Sequence, residues 1–541
     1  MPMSIACDQA PDVVYTNALI WTGRADQPWA EALAIRDGML QDVGPAARID
    51  ALRQADTRVV DLEGGFVVPG FIDNHTHFLS GGFQLASVDL RTADTPDEFA
   101  RRIGAFAASV PEGRWITGGD WDHERWGGAL PRRAWIDEVT TEQPVFVSRL
   151  DGHMALANSN ALALAGVTRE TPDPEGGTIV RDPETGEPTG ILKDEAMNLV
   201  WRVMPDPSEE ELDEALGRAM AHALSLGVTQ VHDVGSFGGW MDLETYRRAQ
   251  ADGRLKLRIY SFVPLRSWSR LAAFIHEHGR GDDWVRWGGL KGFVDGSLGS
   301  TTAWFYEPYI DEPETAGLIV TDTTTLRDDL LRADAEGLHL AIHAIGDRAN
   351  DWLLDRFAEA DAQNGPRDRR FRIEHAQHLS REAIERFAGQ GVVPSMQPYH
   401  AIDDGRWAEK RIGPERIQTT YAFCSLLDAG APLTFGSDWT VAPLSPLEGI
   451  YAAVTRRTLD GATPGGWVPQ EKITVEEALR AYTASNAYAG FQEARLGTLE
   501  PRKWADFVVL SGNLFEMDPV VIRTVRVLRT VVGGREQYRA E

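Results

Sequence analysis

Eight strand-like runs recur along the middle of this chain, mostly separated by stretches long enough for a helix. That recurrence constrains the fold more than any other feature. The first run ends at His77, and the others span 228–233, 257–263, 290–295, 338–344, 371–375, 392–397 and 433–438. Strands alternating with helices select a parallel sheet with helices packed on it, and eight such units in succession predict a (β/α)8 TIM barrel. The local signals agree. Ser208 and Glu211 have capping-box spacing, Leu212, Leu216, Met220 and Ala223 form one helical stripe, and Gly227 can close that helix before Val228 opens a strand. Thr474 with Glu477 repeats the capping pattern near the end of the series.

One interval breaks the rhythm. Between His77 and Val228 lie far more residues than a crossover needs, so about 112–205 is expected to be an insertion covering the barrel mouth. It holds Trp115, Trp121, Trp126 and Trp135. These either pack the insertion's own core or line an apolar pocket, and Trp121 is a candidate substrate contact. The chain ends read as short strands instead. Ala32–Arg36 leads into Asp37-Gly38, a strong hairpin signal, and the last stretch offers 506–510, 525–532 and the turn Gly533-Gly534. We expect residues 1–66 and 491–541 to build one small β-sandwich-like domain, with the barrel occupying 67–490.

The runs end in residues that bind metals. In a strand, alternate side chains share a face, so His75 and His77 can point into one space. Lys291 lies early in the fourth run, and His343, His375 and Asp438 close the fifth, sixth and eighth. Catalytic groups of such barrels come from the C-terminal ends of different strands. Imidazole nitrogens and a carboxylate are standard ligands for zinc and other divalent metals. Any one of these positions is a weak signal, whereas the set at matching places in one repeat is not.

Composition narrows the partners. A formal charge of −27 repels nucleic acid and anionic membranes alike. Cys7 and Cys424 cannot supply a disulfide framework, and there is no Cys-x-x-Cys for zinc. No segment approaches the ~20 apolar residues of a membrane span. No signal peptide is apparent at the start of the chain. The expectation is a cytoplasmic protein acting on a small molecule, with self-association left open.

The strings around these residues carry a resemblance. They are Pro69-Gly70-Phe71-Ile72-Asp73-Asn74-His75-Thr76-His77, Lys291-Gly292-Phe293-Val294-Asp295-Gly296-Ser297, His343-Ala344-Ile345-Gly346-Asp347, Arg372-Ile373-Glu374-His375-Ala376-Gln377 and Gly436-Ser437-Asp438. With Asp151-Gly152-His153 and Asn158-Ser159-Asn160-Ala161-Leu162, they resemble the amidohydrolase superfamily of metal-dependent hydrolases. The likeness is to its family 3 branch, which includes N-substituted formamide deformylases. The resemblance implies one or two divalent ions per chain, zinc first among them. His75, His77 and Asp438 would hold one, His343 and His375 a second, and a carbamylated Lys291 would bridge them. His378 is a rival to His375. Asp438 would take a proton from the activated water and pass it to a leaving amine. His153, His232 and Asp295 are candidates for carbonyl stabilisation or orientation, and Trp304, Tyr399 and Trp439 for apolar substrate contacts. The implied reaction is hydrolysis of an amide-type C–N bond in a hydrophobic or aromatic-substituted substrate. Esterase, lactonase, cyclic-amide hydrolase or deaminase chemistry remains the alternative on the same site. A non-catalytic regulatory barrel, a role described for some family members, is a further one.

Overall fold

The computed structural model describes residues 10–149, 154–174, 177–236 and 239–541. The predicted strands form a single parallel sheet in chain order: β1 (Phe71–Thr76), β2 (Val228–Asp233), β3 (Arg258–Pro264), β4 (Val285–Phe293), β5 (His339–Ala344), β6 (Arg372–His375), β7 (Val393–Met396) and β8 (Thr434–Phe435). Each pairs in parallel with the next. Closure runs through the segment just after β8. The Asp438 N–H donates to the His75 carbonyl (2.8 Å), the His77 N–H donates to the Trp439 carbonyl (2.7 Å), and Thr76 bridges Trp439. Asp73 pins the same seam by accepting from the backbone N–H groups of His75 and Ser437. The protein is therefore a closed (β/α)8 barrel.

The helices between strands are capped as their sequences suggest. Asp322 accepts from the Thr325 N–H and Ser380 from the Ala383 N–H, while both expected capping boxes, Ser208 with Glu211 and Thr474 with Glu477, are formed. Such caps satisfy amide donors that a helix start leaves unpaired. In the helix Glu209–Ser225, Leu212, Leu216, Met220 and Ala223 are buried.

The apolar run Phe66–Asp73 is divided between two sheets. Arg58–Pro69 lies in a sheet built from both chain ends, and β1 starts at Phe71. Gly70 stands at the switch, where a Cβ would lie 2.3 Å from the Thr229 hydroxyl. The terminal sheet orders its main strands as Arg535–Arg539, Val527–Val532, Phe507–Leu510, Arg58–Pro69, Val13–Trp21, Ala32–Arg36 and Met39–Gly44. Its predicted hairpin forms at Asp37-Gly38, both with positive φ (51° and 77°), the geometry of a type I′ turn. The sheet folds back on itself. Gly38 accepts from the Ala505 N–H, and Leu33, Ile35, Phe507, Val509 and Val531 share one core although they come from opposite ends of the strand order.

Residues 82–215 form a second compact unit. Its six-stranded sheet runs from Val88–Asp89 through Gly118–Trp121, Phe146–Arg149 and Met154–Ala157 to Pro188–Asp194 and Gly177–Arg181. The helix Pro96–Ala107 packs Phe99 and Ile103 into the core that holds Trp121, with Trp126 and Trp135 against it. These elements carry the unit beyond 112–205 on its N-terminal side. Among the described residues, no helix is long and apolar enough to cross a membrane.

Candidate metal centre

Four imidazoles and one carboxylate converge at the C-terminal ends of the strands. His75 and His77 extend from β1 on one face, as the alternation requires, with ring centroids 5.9 Å apart. His75 Nε2 lies 3.5 Å and His77 Nε2 3.4 Å from the same Asp438 oxygen, Oδ1. His375 joins them: one ligand atom each of His75, His375 and Asp438 lies within 4.8 Å of the others. The His343 ring stands 4.5 Å from that of His375.

His375 reaches this cluster against the simple strand rule. On β6, Arg372 and Glu374 share the barrel interior, which would turn His375 outward. Its backbone instead enters the left-handed region (φ 74°), followed by Ala376 (φ 45°), and Asp438 does the same after β8 (φ 59°). Non-glycine residues held there carry strain, and such strain gathers at functional sites.

Each imidazole is oriented by one acceptor. His75 Nδ1 meets Glu374 Oε2 at 2.5 Å, His77 Nδ1 the Gly235 carbonyl at 2.6 Å, His375 Nδ1 the Gln397 Oε1 at 2.8 Å, and His343 Nε2 the Gly296 carbonyl at 3.0 Å. A carbonyl or carboxylate oxygen accepts, so the facing ring nitrogen carries the proton and the other presents a lone pair. This is how protein frameworks prepare histidines for a metal. His75 Nε2 is buried with no hydrogen-bond partner, an orphan that a cation at this position would satisfy. The donor set therefore fits a divalent metal.

The electrostatics point the same way. Burial, reinforced by Lys291, pushes His75 down to about 4 and His343 down to about 3. Burial and the neighbouring His343 hold His375 well below the ordinary imidazole range. Burial alone would raise Asp438, but His75, His77, His375 and His400 outweigh it and hold the carboxyl well below the usual carboxylate range. Neutral imidazoles and an ionised carboxylate are the forms that bind metal. At His77, by contrast, burial is outweighed by Asp438 and the Gly235 carbonyl, which raise the imidazole, so metal binding there displaces a proton. Lys291 is buried, and that burial lowers its amine to about 8 despite Glu374 and Asp438. Its Nζ lies 5.0 Å from the centroid of Phe293, two residues on and on the same face of β4.

The other sequence candidates sit elsewhere. His232 is inside the barrel, with Nδ1 2.9 Å from Arg372 Nη1 and its ring against Tyr260. Arg372 in turn donates to Glu374, so His232 braces the residue that orients His75 rather than joining the cluster. Asp295 is buried and accepts from the N–H groups of Trp304, Ile345 and Gly346, and it stands 3.6 Å from His343 Nε2. It shapes the loop that holds His343. Trp304 is half-buried beneath the Arg348 guanidinium (4.5 Å). Trp439 packs against Phe78 and His222, with Gly81 leaving room for its ring. Tyr399 is half-buried in the helix Pro398–Asp404. Trp121 belongs to the core of the 82–215 unit, its indole N–H bonded to the Val147 carbonyl. The rival His378 bonds Thr420 Oγ1 and Gln377 Nε2 and packs on Phe305, apart from the cluster. His153 lies outside the described residues.

Sequence reasoning missed Glu374, Arg372, Gln397, His400 and Phe293. A signal for the first two was present: Arg372 and Glu374 are two apart in a strand, opposite charges on one buried face. Nothing local marked the others.

A model of the amidohydrolase family matches residues 58–538. Protein LONG AFTER FAR-RED 3 of Arabidopsis thaliana is 44% identical over 97% of this chain and 91% of its own length. The N-substituted formamide deformylase of Arthrobacter pascens is 30% identical over 98% and 99%, respectively. An uncharacterised metal-dependent hydrolase of Pyrococcus horikoshii OT3 superposes with a TM-score of 0.80 at 28% identity, covering 97% of this chain and all of that one. The barrel, the terminal sheet and the histidine-carboxylate cluster thus define a metal-dependent hydrolase architecture. The chain belongs to the amidohydrolase family.

Proposed function

We propose that this chain hydrolyses an amide-type C–N bond of a small substrate bearing an apolar or aromatic substituent. The observation that carries the reading is the cluster of four imidazoles, each with one nitrogen fixed by an acceptor, in which His75, His77 and His375 surround Asp438 and His343 stands against His375. When bound, a divalent metal supplies an activated water at neutral pH and polarises a carbonyl. We assign His75, His77, His343, His375 and Asp438 as its holders, zinc as the first metal to test, and Lys291 as a site of carbamylation.

The residues do the rest. Asp438, ionised and with one oxygen directed away from His75 and His77, accepts the proton released by the attacking water and returns it to the leaving nitrogen. An amine leaves poorly unless protonated, so this shuttle suits amides better than esters. Glu374 keeps His75 in the tautomer that presents Nε2. Phe293, 40% exposed at the end of β4, has its ring 5.3 Å from that of His343 and offers an apolar wall beside the reacting centre.

A panel of N-substituted formamides, other amides, esters, lactones, cyclic amides and amino-substituted heterocycles, assayed on zinc- and manganese-loaded protein, tests the assignment. Turnover of amides above esters is expected. Turnover confined to esters, lactones or ring deamination moves the reading to those chemistries. No turnover of any class, in protein that binds metal fully, favours a regulatory barrel.

A further inference from the structure

A fifth imidazole stands beside the centre. His400 lies in the helix Pro398–Asp404, directly after β7. Its Nε2 is buried without a hydrogen-bond partner, 3.7 Å from Asp438 Oδ2. The nitrogens of His75 and His77 that approach this carboxylate both face Oδ1, and a His375 nitrogen lies within 4.8 Å of one of its oxygens. Asp438 is thus bracketed, with two imidazoles on one oxygen and His400 on the other.

The turn after β7 explains how His400 gets there. Gln397 caps the helix and its side chain accepts from His375, while Pro398 fixes the first helical residue. His400, three residues on, donates its backbone N–H to the Gln397 carbonyl and lays its ring parallel to that of His375, 9° and 6.3 Å apart. One short turn therefore serves two members of the cluster. A separation of 3.7 Å is only slightly longer than a hydrogen bond, and contacts in unliganded sites commonly tighten when the ligand is in place.

We propose that His400 is a positioning residue whose Nε2–H donates to Asp438 Oδ2 in the metal-loaded protein. The two oxygens of an ionised carboxylate are chemically equivalent, so an unheld Asp438 can rotate and place both on the cation. A donor on one lone pair of Oδ2 commits Oδ1 to the metal side and leaves the other lone pair of Oδ2 for the proton transfer assigned to it above. The inference rests on that metal-site reading.

The test uses full-length protein stripped with chelator and titrated with cobalt(II) against a chromophoric competitor, reading affinity, equivalents bound and the visible d–d bands. His400→Ala is expected to bind as many equivalents as wild type, about 10-fold or more weakly, with altered bands. His400→Gln, whose amide N–H can reach the same oxygen, is expected to recover most of both. His400→Asn, with too short a reach, replaces the alanine variant should that one fail to fold. Wild-type affinity and bands in His400→Ala overturn the inference. So does loss of a whole equivalent that His400→Gln does not restore, which makes His400 a ligand. Wild type that binds no cobalt overturns the metal-site reading itself, and the two failures are thereby distinguished.

Discussion

Glu374 Oε2 and His75 Nδ1 meet at 2.5 Å, and both side chains are buried. The pair links β6 to β1 across the barrel interior. Glu374 is also held by Arg372 and by the Ser395 hydroxyl, so its carboxylate is fixed before it fixes His75. Replacing Glu374 with Gln keeps the shape but removes the charge that supports the His75 tautomer. Metal affinity is expected to fall about 10- to 100-fold with stoichiometry retained, measured by competition against a chelator.

Arg372 anchors the same network, donating to Glu374, His232, Ser395 and the Asn74 carbonyl. Arg372→Ala leaves Glu374 buried without its cation. Removing one partner of a buried pair costs about 3–5 kcal/mol. Denaturant unfolding of the chelator-stripped protein should show a loss of that size, together with weaker metal binding.

Acid acts through the imidazoles. His75 is held to about 4 and His343 to about 3 in the fold, against an ordinary value of 6.5. Between pH 6.5 and about 4 the unfolded chain therefore takes up protons that the native chain refuses. Stability falls as pH falls, by roughly 1.4 kcal/mol per pH unit for each such group at the steepest. The melting temperature of metal-free protein should drop steadily from pH 7 to pH 5. Asp73, Asp233 and Asp295, which burial raises to about 7, act in the opposite sense but are outnumbered by the depressed histidines His75, His232, His339, His343, His375 and His378. A melting temperature that rises over this range contradicts the burial argument.

Lys291 responds in the opposite range. With its amine lowered to about 8, the neutral form that reacts with carbon dioxide grows roughly 10-fold between pH 7 and pH 9. With dissolved carbon dioxide held at one concentration across the pH range, reconstitution with metal should accelerate by that factor. Lys291→Ala should lose the carbon dioxide dependence, followed by mass spectrometry under mild conditions and by metal uptake.

Phe293→Ala removes an apolar surface beside Lys291 and His343. For amides with an aromatic substituent, KM is expected to rise about 10-fold, with little change in kcat. Small amides should be nearly unaffected, as a substrate panel would show.

The barrel was legible because its signal repeats. Each strand is a short apolar run that its neighbours in sequence set off. The histidine-carboxylate cluster was legible because His75, His77, His343, His375 and Asp438 end those runs. What sequence could not show is direction and distance. His232 ends a run just as His375 does, yet its ring turns to Arg372, 140 residues away. His375 reaches the cluster only through a left-handed backbone that no glycine announces. Glu374 stood beside His375 unremarked because its partner, His75, is 299 positions earlier. Trp121 carries no local mark that separates the core of 82–215 from a pocket wall.

Metal content per chain, by elemental analysis of protein purified without chelator, tests the central claim most directly. Wild type, His75→Ala and Lys291→Ala would be compared at matched concentration. The account predicts one to two equivalents in wild type, lost or halved in His75→Ala. Two equivalents falling in both variants support a bridging Lys291. One equivalent that survives Lys291→Ala indicates a single-metal site with an unmodified lysine. Wild type that holds no metal, even after reconstitution with zinc or manganese, would contradict the account.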